Sequence, residues 1–197
     1  MEQQFEDILR IRDAIERWVV YRDAREWDKF AELWDPEGIM ATTGGEVPFR
    51  QFIQTVRKRT AEGLNVLHNL SGTAVEVRGD HAVAMTKFVF VQRAPIDGVL
   101  CDVTCYERHY DLWRKTDGKW GLYYRATIAD KDRIDPVDPD AKLVFDPAIL
   151  NQYPVEYRYL AYLKEKAGHP VSKDCPRLSG GSATEELFKK GEDWLKE

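Results

Sequence analysis

Four side chains are of the right type and position to do chemistry together: Asp23, His68, His109 and Arg125. Asp23 lies in "YRDAREWDKFAELWDPEG" (21–38), the next position on a helical stripe of Phe5, Ile8, Ile11, Ile15 and Val19, where an apolar side chain is expected. His68 lies in "LNVLHNLSG" and alternates in phase with Val66 and Leu70. In "VLCDVTCYERHYDLWRK" (99–115) the odd positions begin apolar with Cys101, Val103 and Cys105, then place Glu107, His109 and Asp111 in succession. That is the pattern of a strand leaving a core and entering a polar cavity. Arg125 shares parity with Tyr123 and Thr127 in "LYYRATI". A carboxylate that orients a neutral imidazole supports general-base chemistry, and an arginine or second histidine can meet the anion that develops.

Each of these residues also has a structural explanation. "DARE" reads as a capping box, with Asp23 as N-cap of a second helix and Glu26 at its third position. The two roles are compatible, because a carboxylate can accept an amide N–H on one oxygen and orient a histidine with the other. His68 could be a satisfied strand histidine, and Arg125 could reach along its strand to solvent. His81, after the "RGD" turn, and His169, before Pro170, are expected to be exposed. No metal is expected: there is no HxH, HExxH or Cys/His pair, and His68, His109 and Asp23 could form a ligand set only through the fold. No P-loop or Rossmann glycine pattern points to a nucleotide cofactor.

The elements that must position these residues fall into thirds. Helices are predicted over 4–22, 26–34 and 47–63, the last stopped by Gly63. Strands are predicted over 64–77, 81–93, 99–115 and 119–129, joined by the short turns "RGD", "APIDG" and "TDG". The pattern is α+β, with a meander of strands long enough that the antiparallel sheet must curl into a cone packed by the amino-terminal helices. Residues 1–135 form one domain; 136–197, rich in Pro and Asp before two helical stretches, form an extension that packs on it or on a neighbouring subunit.

Composition excludes several classes. With 29 Lys and Arg against 34 Asp and Glu, the net charge of −5 and the interspersed basic residues leave no footprint for nucleic acid; the densest run, "VRKRT" (56–60), is a single helical turn. No stretch approaches the roughly 20 apolar residues of a membrane span, and the amino terminus lacks an apolar signal core. Three cysteines without metal-ligand spacing fit a reducing, cytoplasmic setting. Aromatic residues at 12% suffice to line a hydrophobic cavity.

The amino-terminal helix, Asp23 four residues before Trp27, and the long strands ending "DLWRKTDGKWGLYYR" resemble the SnoaL-like, NTF2-like superfamily over roughly residues 5–130. Within it the chain is similar to the cofactor-free lyases scytalone dehydratase, hexachlorocyclohexane dehydrochlorinase and bile-acid dehydratase, with lignin-derived formaldehyde lyases as a further relative. The resemblance implies a cone-shaped α+β barrel whose pocket holds an Asp23–His68 dyad, with Arg125 and His109 as further catalytic residues. It places Trp18, Arg22, Met40, Thr86, Phe88, Phe90 and Glu107 around the substrate. Trp18 and Arg22 stand where relatives have tyrosines. The implied activity is elimination of water, halide or formaldehyde from a small hydrophobic substrate, without cofactor, in a homotrimer or dimer. An isomerase of the ketosteroid type and a non-catalytic binding module are the alternatives, since this fold hosts both.

Overall fold

A computed structural model describes residues 2–169 and 171–197; Met1 and Pro170 lie outside the described residues. The chain starts with helix α1 (Glu2–Asp23), whose buried side chains run Asp7, Ile11, Ile15, Trp18, Val19 and Arg22. The stripe therefore differs from the expected one at its start, since Phe5 is exposed and Asp7 is buried. Asp7 is affordable there because it accepts Trp120 Nε1 at 2.8 Å and pairs with Lys115 at 2.8 Å.

Helix α2 (Trp27–Ala31) is shorter than predicted, because Trp34 already begins strand β1 (Trp34–Thr42). Pro36 favours extended backbone before it, and Asp35 is held there by a bidentate bond from Arg114 at 2.9 and 2.6 Å. Strands β1 and β2 (Gly45–Pro48), which Pro36, Gly38 and the "TGG" turn disguise, precede helix α3 (Phe49–Ala61).

Four long strands follow: β3 (Asn65–Arg78), β4 (His81–Ile96), β5 (Val99–Thr116) and β6 (Lys119–Pro136). The β4–β5 and β5–β6 loops carry Asp97-Gly98 and Asp117-Gly118, all four with positive φ between 48° and 83°. Such two-residue turns match the right-handed twist of the strands they join. The sheet order is β2-β1-β6-β5-β4-β3, and β1 runs parallel to β6 while the other pairs are antiparallel. The fold is thus α+β with a curved, mixed and unclosed six-stranded sheet, where a purely antiparallel one was expected.

Register carries the site. Across the concave face, His68 pairs with Phe90 and Phe90 with Cys105; Leu70 pairs with Phe88 and Phe88 with Glu107. Further down, Thr86, His109 and Thr127 form one row, and Ala84, Asp111 and Arg125 the next. The narrow end is filled by Ile11, Ile15, Trp18, Phe30, Trp34 and Trp113.

After β6 come helices α4 (Pro147–Leu150), α5 (Arg158–Lys166) and α6 (Ser182–Trp194). Helix α5 buries Leu160, Tyr162 and Leu163 against Ile96, Cys101, Val103 and Cys105, across the wide end of the concave face. Its first amides, Tyr159 and Leu160 N–H, donate to Asp132 Oδ2 at 2.7 and 2.8 Å, so a strand residue caps it. Helix α6 lies on the convex face, placing Leu187 and Trp194 against Tyr110, Leu112, Tyr124 and Ile128. Its Gly191 is required there: a Cβ would collide with the Tyr110 hydroxyl and ring. Among the described residues, no helix is long and apolar enough to cross a membrane.

Candidate active site

A cavity of about 290 Å³ occupies the concave face between α1, α3, α5 and the sheet. Its floor is formed by Trp18, His68, Phe88 and His109 and its walls by Met40, Phe90, Thr127 and Glu107, while Arg59, Leu160 and Lys164 stand toward α3 and α5.

Asp23 stands at the carboxyl end of α1, directly behind His68. Its Oδ2 accepts the His68 backbone N–H and its Oδ1 contacts His68 Nδ1, both at 2.8 Å. Since an ionised carboxylate only accepts, the arrangement fixes the Nδ1–H tautomer and leaves the Nε2 lone pair free on a ring that lines the cavity. Burial lowers the His68 pKa from its ordinary value, more than Asp23 raises it. The ring is therefore a neutral acceptor near neutral pH. The capping-box reading is corrected: Asp23 ends α1, the N-cap of α2 is Glu26 without a side-chain bond, and Asp23 uses both oxygens on His68.

His109 is stacked on Phe88 at 3.9 Å and meets the edge of Trp18 at 5.4 Å. Its Nδ1 has no hydrogen-bond partner among the described residues. Burial, with Arg125 next, pushes its pKa well below the ordinary range, so it too is neutral. Arg125 neither reaches solvent nor lines the cavity, contrary to both expectations: it is 0% exposed, bidentate to Asp111 at 2.7 and 2.6 Å, and lies 4.3 Å from the centre of the Trp18 ring. It sits one layer behind the wall, where it bears on both histidines through space.

Of the other anticipated residues, Trp18, Arg22, Met40, Phe88, Phe90 and Glu107 line the cavity. Thr86 does not; it is fully buried beneath the floor and bonded to Thr73 Oγ1 at 3.1 Å. His81 is half-buried against Trp194 at 4.4 Å, where exposure was expected, while His169 is exposed. Among the described residues, no three His, Cys, Asp or Glu side chains form a group that could hold a metal. Sequence reasoning missed Gln92, although it shares parity with Phe88 and Phe90, and Thr127, which pairs with His109 across β5 and β6. It also missed Arg59 and Lys164, which reach the cavity from helices and carried no signal. Burial raises the Glu107 pKa to about 7, although Lys164 opposes this.

A helix-backed curved sheet enclosing a cavity on its concave face points to the class, and comparison agrees: residues 3–126 match the SnoaL-like domain, so the chain belongs to the SnoaL-like family. It is 32% identical over 197 aligned residues to pea pathogenicity protein 2 of Fusarium vanettenii, covering 95% of this chain and 84% of that protein. Among solved structures it resembles a scytalone dehydratase-like protein from Novosphingobium aromaticivorans (TM-score 0.57, 14% identity, 73% of this chain and 100% of that one). It also resembles the hexachlorocyclohexane dehydrochlorinase LinA-type3 of Novosphingobium barchaimii (TM-score 0.56, 12% identity, 72% and 97%). At these identities the structures establish the shared fold.

Proposed function

We propose that the protein is a cofactor-independent lyase that eliminates water, halide or formaldehyde from a small hydrophobic aromatic or alicyclic molecule. The observation that carries the reading is the 2.8 Å contact between Asp23 and His68 Nδ1 at the floor of an aromatic-lined cavity. In it, His68 Nε2 takes a proton from the substrate. For loss of water or halide, that proton leaves a carbon beside an activating ring or carbonyl. The C–H electron pair becomes the new double bond, and the leaving group departs with its own bonding pair from the neighbouring carbon. For loss of formaldehyde, the proton comes from a hydroxymethyl oxygen, a C–C bond breaks, and the electron pair of that bond stays on the substrate. Asp23 stabilises the imidazolium formed, which then returns its proton to the leaving group or to the carbanion. His109 contacts the developing anion, and a positioned donor of this kind is worth about 3–4 kcal/mol of barrier. Arg125 acts as a positioning residue through Trp18 and His109. That the family includes dehydratase-like and dehydrochlorinase folds supports the reaction class.

The test is product mass over a panel of hydroxylated, halogenated and hydroxymethyl-bearing ring compounds. Elimination lowers it by the leaving group, whereas isomerisation leaves it unchanged and would replace this reading with the proton-shuttle alternative.

A further inference from the structure

We propose that the cavity is built for an apolar molecule carrying an oxyanion, in chemical class an aromatic or alicyclic carboxylate, whose charged end is held by Arg22, Arg59 and Lys164. The inference rests on the elimination reading only in treating that molecule as the substrate.

Three cations reach this one space from three separate elements, Arg22 from α1, Arg59 from α3 and Lys164 from α5. Their repulsion is mutual: Arg59 acts against the charge of both Arg22 and Lys164. Two carboxylates partly offset them, Asp23 favouring the Arg22 charge and Glu107 the Lys164 charge, each more than Arg59 opposes it, but neither pairs with Arg59. Asp23, 3.8 Å from the Arg22 guanidinium, has both oxygens engaged by His68. Glu107 is the one carboxylate among the lining residues. Arg59 forms no ion pair or side-chain hydrogen bond among the described residues, and the Lys164 ammonium donates to a neutral group, Thr43 Oγ1, at 2.6 Å. Gathering like charges in one cavity, with Arg22 and Lys164 withdrawn from water, is unfavourable unless an anion joins them, and arginine forks match a carboxylate's two oxygens. The remaining wall, Met40, Val66, Phe88, Phe90 and Leu160, suits an apolar body.

The test is calorimetric titration at low ionic strength with two probes of nearly equal shape, 2-naphthoate and its neutral amide 2-naphthamide. Neither carries a leaving group, so binding is read independently of turnover. The full chain is expected to bind naphthoate at least tenfold more tightly than the amide. Arg59→Gln and Lys164→Met, each checked for fold by circular dichroism, are each expected to reduce that preference at least fivefold. Arg59→Gln serves as the variant that disturbs no ion pair. Equal or tighter binding of the amide, no binding of either probe, or an unchanged preference in both variants would overturn the proposal. A retained preference alongside no elimination in the product-mass assay refutes the lyase reading and leaves the anion site standing; the opposite pair of results does the reverse.

Discussion

Asp23 commits both oxygens to one neighbour, and that determines what its variants do. Asparagine offers a single acceptor oxygen, so Asp23→Asn cannot hold the backbone amide and the Nδ1–H together. Turnover is expected to fall about 100-fold or more while circular dichroism shows a folded protein; full activity would reduce Asp23 to a structural role. Behind the wall, Asp111→Ala would leave Arg125 buried without its partner and is expected to cost about 3–5 kcal/mol in urea unfolding. Glu107 titrates oppositely to the histidines. Its folded pKa of about 7 exceeds the ordinary 4.5, so the unfolded chain loses the proton first and stability falls as pH rises between those values. Glu107→Gln should abolish that part of the slope, on the order of 3 kcal/mol across the window. For His68 and His109, held below the ordinary 6.5, the unfolded chain takes the proton first. Their contribution is complete above 6.5 and is lost as pH falls toward their lower folded values. The dyad residues were legible in the sequence because a polar side chain broke an apolar period. Their contact was legible only through the family resemblance, since "DARE" offers Asp23 an equally good local acceptor role, and the docking of α1 on β3 decides for His68.

At the scale of elements, α5 is the piece that turns an open sheet into a cavity. Leu160, 4% exposed, both lines the space and anchors the helix over Cys101 and Cys105. Leu160→Ala is expected to lower stability by about 2–4 kcal/mol and to speed the reaction of Cys105 with a thiol reagent as α5 loosens; an unchanged thiol rate would show that α5 is held elsewhere. The four long strands could be read from alternation and Gly placement, but not their ends: β4 runs on through the expected turn to Ile96, and β6 to Pro136 rather than 129, because both stay paired to β5. Strand β1 could not, because Pro36 and Gly38 are local stop signals whose cost is met by non-local bonds: Leu122 N–H to Leu33 O at 3.0 Å and the Arg114 fork on Asp35. The same limit hid Lys164, which lies on an amphipathic helix whose partner face is 60 residues away in sequence at Val103 and Cys105.

At the scale of the whole molecule, the segment after β6 works on both faces of the sheet: α5 closes the concave side and α6 covers part of the convex one. For a homotrimer, which we propose from the resemblance, light scattering should return three times the chain mass. The claim on which the account stands is that the Asp23–His68 pair removes a proton and a group leaves. The most direct measurement is mass spectrometry of the product panel with wild type, His68→Ala and Asp23→Asn side by side. The account predicts a product lighter than its substrate by water, halide or formaldehyde with wild type, and almost none with either variant. A lighter product formed equally well by both variants, or a product of unchanged mass, would contradict it.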